Sequence, residues 1–201
     1  MSVRLATNAD VDRIAASLAL AFEDDPVMCF LFPNAFSRSW RLTRFFRTGL
    51  LVQHLVNGAA FTDAECGAAA LWAPPGRWRI TPAQLLRGAP SLIRALGTRV
   101  PAALRALAAV EHVHPTPPHY YLAVLGTRPD RQGMGIGSSL LRPVLDRCDA
   151  EGVGAYLESS KERNVPFYRR HGFEVTTALR LPGGGPTVWP MWRSPRTRSA
   201  A

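Results

Sequence analysis

Between Thr127 and Ser138 the chain reads Thr-Arg-Pro-Asp-Arg-Gln-Gly-Met-Gly-Ile-Gly-Ser, with glycines at alternate positions, Gly133, Gly135 and Gly137. An apolar run from His119 to Leu125 leads into this turn, and a helical pattern opens directly behind it at Ser138. Glycine lets the backbone turn sharply and lets a ligand come close to main-chain N–H groups. A helix start adds unpaired N–H donors and the positive end of its dipole. The chemistry these residues support is the binding of phosphate groups. Two common phosphate motifs do not fit. A P-loop needs Gly-Lys-Ser/Thr, whereas Gly137 is followed by Ser138 with no lysine near. A dinucleotide fingerprint has a glycine where Leu140 stands. Glu158 sits at the right remove for its acidic residue, but too little chain follows for the rest of a doubly wound domain.

Other chemistry-bearing residues are sparse. His112 and His114 stand two apart without a third ligand nearby and without helical i, i+4 spacing, so no metal is expected. Cys29, Cys66 and Cys148 are scattered and odd in number, which suits buried thiols better than disulfides. The 201 residues carry a formal charge of +9, almost all of the basic residues being arginine, with Lys161 the only lysine. Arginines are spread along the chain and cluster only from Arg193 to Arg198. Aromatic residues are not interleaved with them as a nucleic-acid stacking platform requires, so no nucleic-acid partner is expected. A polyanionic small ligand is the more economical use of the charge. No apolar run approaches the roughly 18 residues of a membrane span, and no leader pattern opens the chain. Cytoplasmic residence and no membrane partner are therefore expected.

The elements that must position the glycine loop can be read from spacing. Val3–Ala6 reads as a strand. Thr7 or Asn8 can cap a helix whose apolar positions Val11, Ile14, Ala15, Leu18 and Phe22 recur at three and four, and Pro26 stops it. A second helix is expected over 39–56, ending at Asn57-Gly58. Strands are expected at 59–62 and 68–73. The stretch 81–110, broken by Gly88, Pro90, Gly97 and Pro101, suits several short helices. Then strands and helices alternate: strand 119–127, helix 138–150, strand 154–159, helix 164–171, strand 173–178 and strand 188–192. Pro143 falls inside the fourth of these helical patterns and predicts a bend or a late first turn. The alternation predicts an α/β architecture with a mixed sheet, one domain over 1–193 with 81–112 as a helical insertion, and a basic flexible tail over 194–201.

The run Leu125-Gly126-Thr127-Arg128-Pro129 followed by Gln132-x-x-Gly135-x-Gly137 resembles the acetyl-CoA motif of the GCN5-related N-acetyltransferase (GNAT) family. The strand Ala155-Tyr156-Leu157-Glu158-Ser159 and the segment from Asn164 through Pro166, Phe167 and Tyr168 to Phe173 resemble the family's next two elements. The resemblance implies a central twisted, mostly antiparallel sheet, splayed between its fourth and fifth strands and flanked by helices. It implies acetyl-CoA as the donor, its pyrophosphate held by the loop from Arg131 through Gln132, Gly133, Met134, Gly135, Ile136 and Gly137 to Ser138. The pantetheine arm would lie against the main chain of Leu125, Gly126 and Thr127. Asn164 is either a helix cap or a pantetheine contact.

The reaction so implied is acetyl transfer to an amine, with Tyr168 as the general acid for the departing thiolate. The base stays open among Glu158, Glu23, Asp24 and His119. Of these Glu158 is taken as catalytic, and Glu23, Asp24 and His119 are grouped with Phe30 as acceptor contacts. The loop after the first helix, carrying Asp24, Asp25, Met28, Phe30 and Phe32, mixes acidic and aromatic groups that suit a cationic amine with an apolar body. The expected acceptor is the primary amine of a small molecule, aminonucleoside-like by resemblance, acted on by a monomer or homodimer. The alternatives are a protein or peptide amine acetyltransferase and a non-catalytic acyl-CoA-binding regulator.

Overall fold

The computed structural model describes residues 2–57 and 59–196, leaving aside the side chains of Leu51 and Val52. Gly58 of the expected helix-ending pair and 197–201 of the expected tail lie outside the described residues. Among the described residues no helix is long and apolar enough to cross a membrane.

Strand β1 (Val3–Leu5) enters a short turn that is fixed by one carboxylate. Asp10 accepts hydrogen bonds from the Thr7 N–H at 2.9 Å and from both terminal nitrogens of Arg4 at 2.7 Å. Helix α1 (Val11–Ala21) starts there. Pro26, expected only as a stop, also begins a helix, α2 (Pro26–Leu31). Asp25 caps it by accepting from the Val27 and Met28 N–H groups at 3.0 and 3.1 Å. Proline costs nothing at a first helical position, where its missing donor has no partner to lose. Helix α3 (Ala35–Gly49) begins ahead of the expected Ser39 because Asn34 caps it, and it runs on as a π-helical turn over Leu50–His54.

Strands β2 (Ala60–Asp63) and β3 (Ala68–Ala73) form a hairpin. The next stretch folds into two long helices rather than several short ones, α4 (Pro82–Leu96) and α5 (Val100–Val113). Gly88 and Pro90 both lie inside α4. The carbonyl left unpaired by Pro90 belongs to exposed Leu86, where water can satisfy it. Then follow β4 (His119–Thr127), α6 (Ile136–Glu151), β5 (Gly154–Ser159), α7 (Val165–Arg170), β6 (Glu174–Val175), β7 (Leu179–Arg180) and β8 (Thr187–Arg193). Helix α6 is continuous across Pro143. The strand expected over 173–178 is reduced to β6, because the chain leaves the sheet and returns as β7 on another part of β8.

The sheet runs β1-β2-β3-β4-β5-β8-β6, with β7 also on β8. Every neighbouring pair is antiparallel except β4 with β5, which are parallel. Strand β3 is buried along its whole length, which explains its unbroken apolar sequence. Its alternate residues serve two cores. Ala68, Ala70 and Trp72 pack with Leu140, Leu141 and Val144 of α6, while Ala69 and Leu71 pack with Leu18 of α1 and Phe46 of α3. At the end of β8, Arg193 pairs with Asp149 at 2.7 Å, and beyond it the Arg196 N–H donates to the same carboxylate at 2.7 Å.

Candidate active site

The site begins where two strands part. Strands β4 and β5 are paired from His119 opposite Gly154 to Leu122 opposite Leu157, and no further. At that point the β3–β4 register shifts: Leu71 faces Val124 and Trp72 faces Leu122, so Ala123 is a bulge. A bulge bends its strand and raises the local twist. Strand β4 then follows β3 as far as Thr127, while β5 follows β8 to Ser159. The gap between them is a cleft of about 580 Å³, lined by Leu122–Thr127, Leu157–Lys161 and the start of α6. From Ala123 onward the β5-facing edge of β4 lacks a strand partner there.

At the splayed end of the cleft, beyond Thr127, lies the glycine loop. Gly133 and Gly135 have φ of +79° and +77°, conformations open to glycine, and nothing lies within 4 Å of a Cβ built on either. Gly135 is the N-cap of α6, so the first N–H groups of that helix face out of the loop with no intrahelical acceptor. Gly126 answers a different need. A Cβ there would stand 2.7 Å from Leu18 and 2.8 Å from Phe22, so its absence lets α1 lie against β4 beside the cleft. Gln132 braces the loop by donating from Nε2 to the Thr127 carbonyl at 3.1 Å. Arg131 is tied back to Asp63 and Glu65 at 2.8 and 2.9 Å. Ser138 Oγ meets His171 Nε2 at 2.9 Å.

On the opposite wall stands Tyr168, mostly buried, its hydroxyl making no hydrogen bond among the described residues. Burial, and then the nearby Asp25 carboxylate, raise the phenol above its ordinary range. The phenol therefore stays protonated at neutral pH. Asp25 lines the same cleft. Desolvation pushes its carboxyl up, against the opposing pull of a hydrogen bond from Ser160 Oγ.

Across β4 lies a second cavity of about 270 Å³, roofed by α4 and α5 and floored by β4. Its walls are mainly apolar, including Met28, Phe45, Phe46, Trp78, Leu92 and Val110, with polar Gln53, Glu111, His114 and Tyr121 among them. Ala123 and Val124 line both spaces, so the bulge separates cleft from cavity. At this junction the Tyr121 hydroxyl donates to Glu158 Oε2 at 2.8 Å. The other Glu158 oxygen is buried without a hydrogen bond, and His114 Nδ1 is 3.7 Å from it.

Of the residues singled out from sequence, Leu125, Gly126, Thr127, Arg131, Gln132, Gly133, Gly135, Ile136, Gly137, Ser138, Glu158, Asn164 and Tyr168 all line the cleft. Met134 does not; it is 56% exposed. The expected acceptor residues are not brought together. Asp24 is on the surface, held by Lys161 at 2.5 Å and Arg163 at 3.0 Å, which keep its carboxyl below the ordinary range. Glu23 turns toward Arg38 at 3.9 Å. Phe30 lies under the Arg99 guanidinium, 4.6 Å from its centroid. His119 is buried behind His114, at 2.9 Å. The residues sequence reasoning missed are Tyr121, His114 and Trp78 at the second cavity. Asp25, expected in the loop that borders the acceptor, lines the donor cleft near Tyr168 and caps α2.

A parallel pair of strands that splay at a bulge, with a glycine-capped helix start beyond their splayed ends, is the arrangement of a CoA-dependent acyltransferase. The chain belongs to the Acetyltransferase (GNAT) family, whose model matches residues 67–173. It is an acetyltransferase, and acetyl-CoA is its acetyl donor. At 27% identity it is similar to an uncharacterised N-acetyltransferase of Schizosaccharomyces pombe, over 96% of this chain and 83% of the relative. Among solved structures it is similar to the Corynebacterium glutamicum histone acetyltransferase HPA2 and related acetyltransferase. That likeness has a TM-score of 0.75 and 27% identity, and it covers 99% of this chain and 98% of that one. The Drosophila melanogaster polyamine N-acetyltransferase, which forms N-acetylagmatine, shares the fold. Its TM-score is 0.65 at 16% identity, over 96% of this chain and 99% of that one.

The residues present fit this donor. The open space at Gly133 and Gly135 admits a diphosphate against main-chain N–H groups, and the strand edge beyond Ala123 offers hydrogen bonds to an extended amide-bearing arm.

Proposed function

We propose that this acetyltransferase acts on the primary amine of a compact, largely apolar small molecule, which occupies the cavity beneath α4 and α5. One observation carries the proposal: the apolar cavity and the donor cleft share a wall at Ala123–Val124, and Glu158 lies beside it with one oxygen buried and unpaired. A partly open space of about 270 Å³ is at the small end of ligand pockets. It suits the whole of a small amine better than a protein chain, whose backbone would need a groove. Val3–Thr7 and the Asn164-x-Pro166-Phe167-Tyr168 segment resemble puromycin N-acetyltransferase, which puts an aminonucleoside-like amine among the acceptors to be tried, although it is larger and more polar than this cavity favours.

Bound acetyl-CoA supplies a thioester carbonyl open to attack by the amine. The protein's part is to present a neutral amine, accept its proton and assist the departing sulfur. An α-amine is about a tenth neutral at pH 7, whereas a lysine-type amine near 10.4 is neutral in fewer than about one molecule in a thousand. Apolar walls favour the neutral form of either. Glu158 takes the proton, held by Tyr121 with Oε1 free. Tyr168 stays protonated and donates a hydrogen bond to the sulfur, whose free thiol has a pKa near about 8.5.

Thiol release from acetyl-CoA against a panel of arylalkylamines, polyamines, an aminonucleoside and peptide amino termini tests the proposal. Turnover with compact apolar amines is expected. Turnover with peptides alone would overturn it.

A further inference from the structure

The outer face of the roof formed by α4 and α5 carries two features that covering a cavity does not explain. The first is apolar. Of the twelve large apolar residues exposed among the described residues, six lie between 80 and 107: Ile80, Leu85, Leu86, Ile93, Leu104 and Leu107. Leu86 and Ile93 stand seven apart on α4, on the side opposite the buried Gly88 and Ala95. Leu104 and Leu107 stand three apart on α5, while Ala102 and Ala106 face inward. Exposed apolar side chains gathered on one face mark an interaction surface, whereas single ones scattered over a protein do not.

The second feature is charge. From 66 to 110 the chain has six arginines and no aspartate or glutamate. Five of them, Arg77, Arg79, Arg87, Arg94 and Arg105, are exposed. Among the described residues none of the five forms an ion pair. Arg87 and Arg94 directly follow Leu86 and Ile93, so basic and apolar groups lie side by side on the outside of α4.

These two features select the partner. A second copy of the chain would set the same patch against itself, arginine opposite arginine with no acid between them. A nucleic acid would satisfy the arginines and leave the leucines in water. A partner that is anionic at its surface and apolar just beneath it satisfies both. We propose that the outer face of α4 and α5 docks the protein on the surface of an anionic lipid bilayer, with the leucines at the acyl boundary and the arginines among the headgroup phosphates. The lack of an apolar run long enough to span bears on crossing a bilayer, not on lying against one. Ile80, Leu85 and Leu107 also line the second cavity, whose mouth therefore opens on this face. Docking so placed passes apolar amines from the bilayer boundary into the cavity; this delivery, unlike the docking, rests on the reading that the amine binds there.

The test is co-sedimentation of the full chain with vesicles of phosphatidylcholine alone and of equal parts phosphatidylcholine and phosphatidylglycerol. The protein is expected to sediment with the mixed vesicles, less with the neutral ones, and less again in high salt. An arginine near an anionic surface contributes about fivefold, so Arg87→Gln with Arg94→Gln weakens binding to mixed vesicles about 25-fold. Leu86→Ser with Ile93→Ser weakens it at least about tenfold. CoA binding by calorimetry stays unchanged in both variants and reports that they fold. Wild-type protein left in the supernatant of mixed vesicles overturns the proposal without any variant, as does equal sedimentation with neutral ones. Variants that bind like wild type place the contact elsewhere, such as the basic chain end, and also overturn it. A dimer by light scattering that Leu86→Ser with Ile93→Ser breaks, with no vesicle binding, overturns it in favour of a second copy. Docking that leaves KM for apolar amines unaltered by mixed vesicles overturns the delivery and leaves the surface in place.

Discussion

Tyr168→Phe separates chemistry from stability more cleanly than any other single change in this protein. The phenol ring is packed against Phe167 and Phe173, at centroid distances of 5.1 and 6.1 Å, and phenylalanine preserves both contacts. The hydroxyl makes no hydrogen bond among the described residues, so its removal strands no protein donor or acceptor. Loss of a buried hydrogen-bonded hydroxyl would cost about 1–3 kcal/mol; here that penalty is absent, and the melting temperature should hold or rise. The transition state, by contrast, loses its proton donor at sulfur. Proton transfer by a positioned side chain accounts for about 10²–10⁴-fold, or about 2.7–5.4 kcal/mol at 1.36 kcal/mol per decade. The assay is steady-state thiol release with saturating amine, together with calorimetric CoA binding and a thermal melt. The expected pattern is kcat down at least about 10²-fold, CoA affinity unchanged and stability unchanged. An unchanged kcat would refute the assignment. A fall in kcat accompanied by a melting loss of several degrees would mean that the hydroxyl was structural.

Three further expectations follow from the structure. Gly135→Ala puts a side chain at φ +77°, a conformation that costs about 1–2 kcal/mol for a residue with a Cβ, so CoA affinity should fall about tenfold while the fold melts cooperatively; calorimetry checks this. Leu85, half-exposed at the edge of the second cavity, should on replacement by tryptophan raise KM for the bulkier amines first and leave CoA affinity unaltered, as a kinetic panel would show. His54 is buried and its pKa is pushed down to about 4 by desolvation, against a hydrogen bond donated to the Trp72 carbonyl at 3.2 Å. Because the folded value lies below the unfolded one of about 6.5, its contribution is complete above pH 6.5 and is lost as the pH falls toward 4, by up to about 3 kcal/mol. Denaturant melts against pH should show that slope, and His54→Gln should flatten it.

The donor half of the site was readable because its signals are local. Three glycines, an apolar strand before them and a helix after them occupy one short stretch, and the backbone they specify depends little on the rest of the chain. Strand β3 was readable for a similar reason, since burial on both faces leaves an unbroken apolar run. The proposed acceptor side was not. Met28, Phe46, Trp78, Val110 and Tyr121 come from five separate stretches of chain and share no spacing, so only the packed sheet shows that they line one space. Pro26 and Pro90 misled for opposite reasons. One proline ends α1 and begins α2 through the cap at Asp25. The other sits inside α4, where its unpaired carbonyl belongs to an exposed residue. In the sequence His114 stands next but one to His112; in the fold its partner is His119, reached across the proline linker.

The roof formed by α4 and α5 gives the molecule two separately editable halves. Nothing in those helices lines the groove behind the glycine loop, so substitutions there reshape the proposed recipient chamber while leaving that groove untouched. On the proposed placement of the amine, a lineage carrying this scaffold changes what it acetylates by rewriting the 15 residues of α4 and the 14 of α5, with the engine beneath kept as it is.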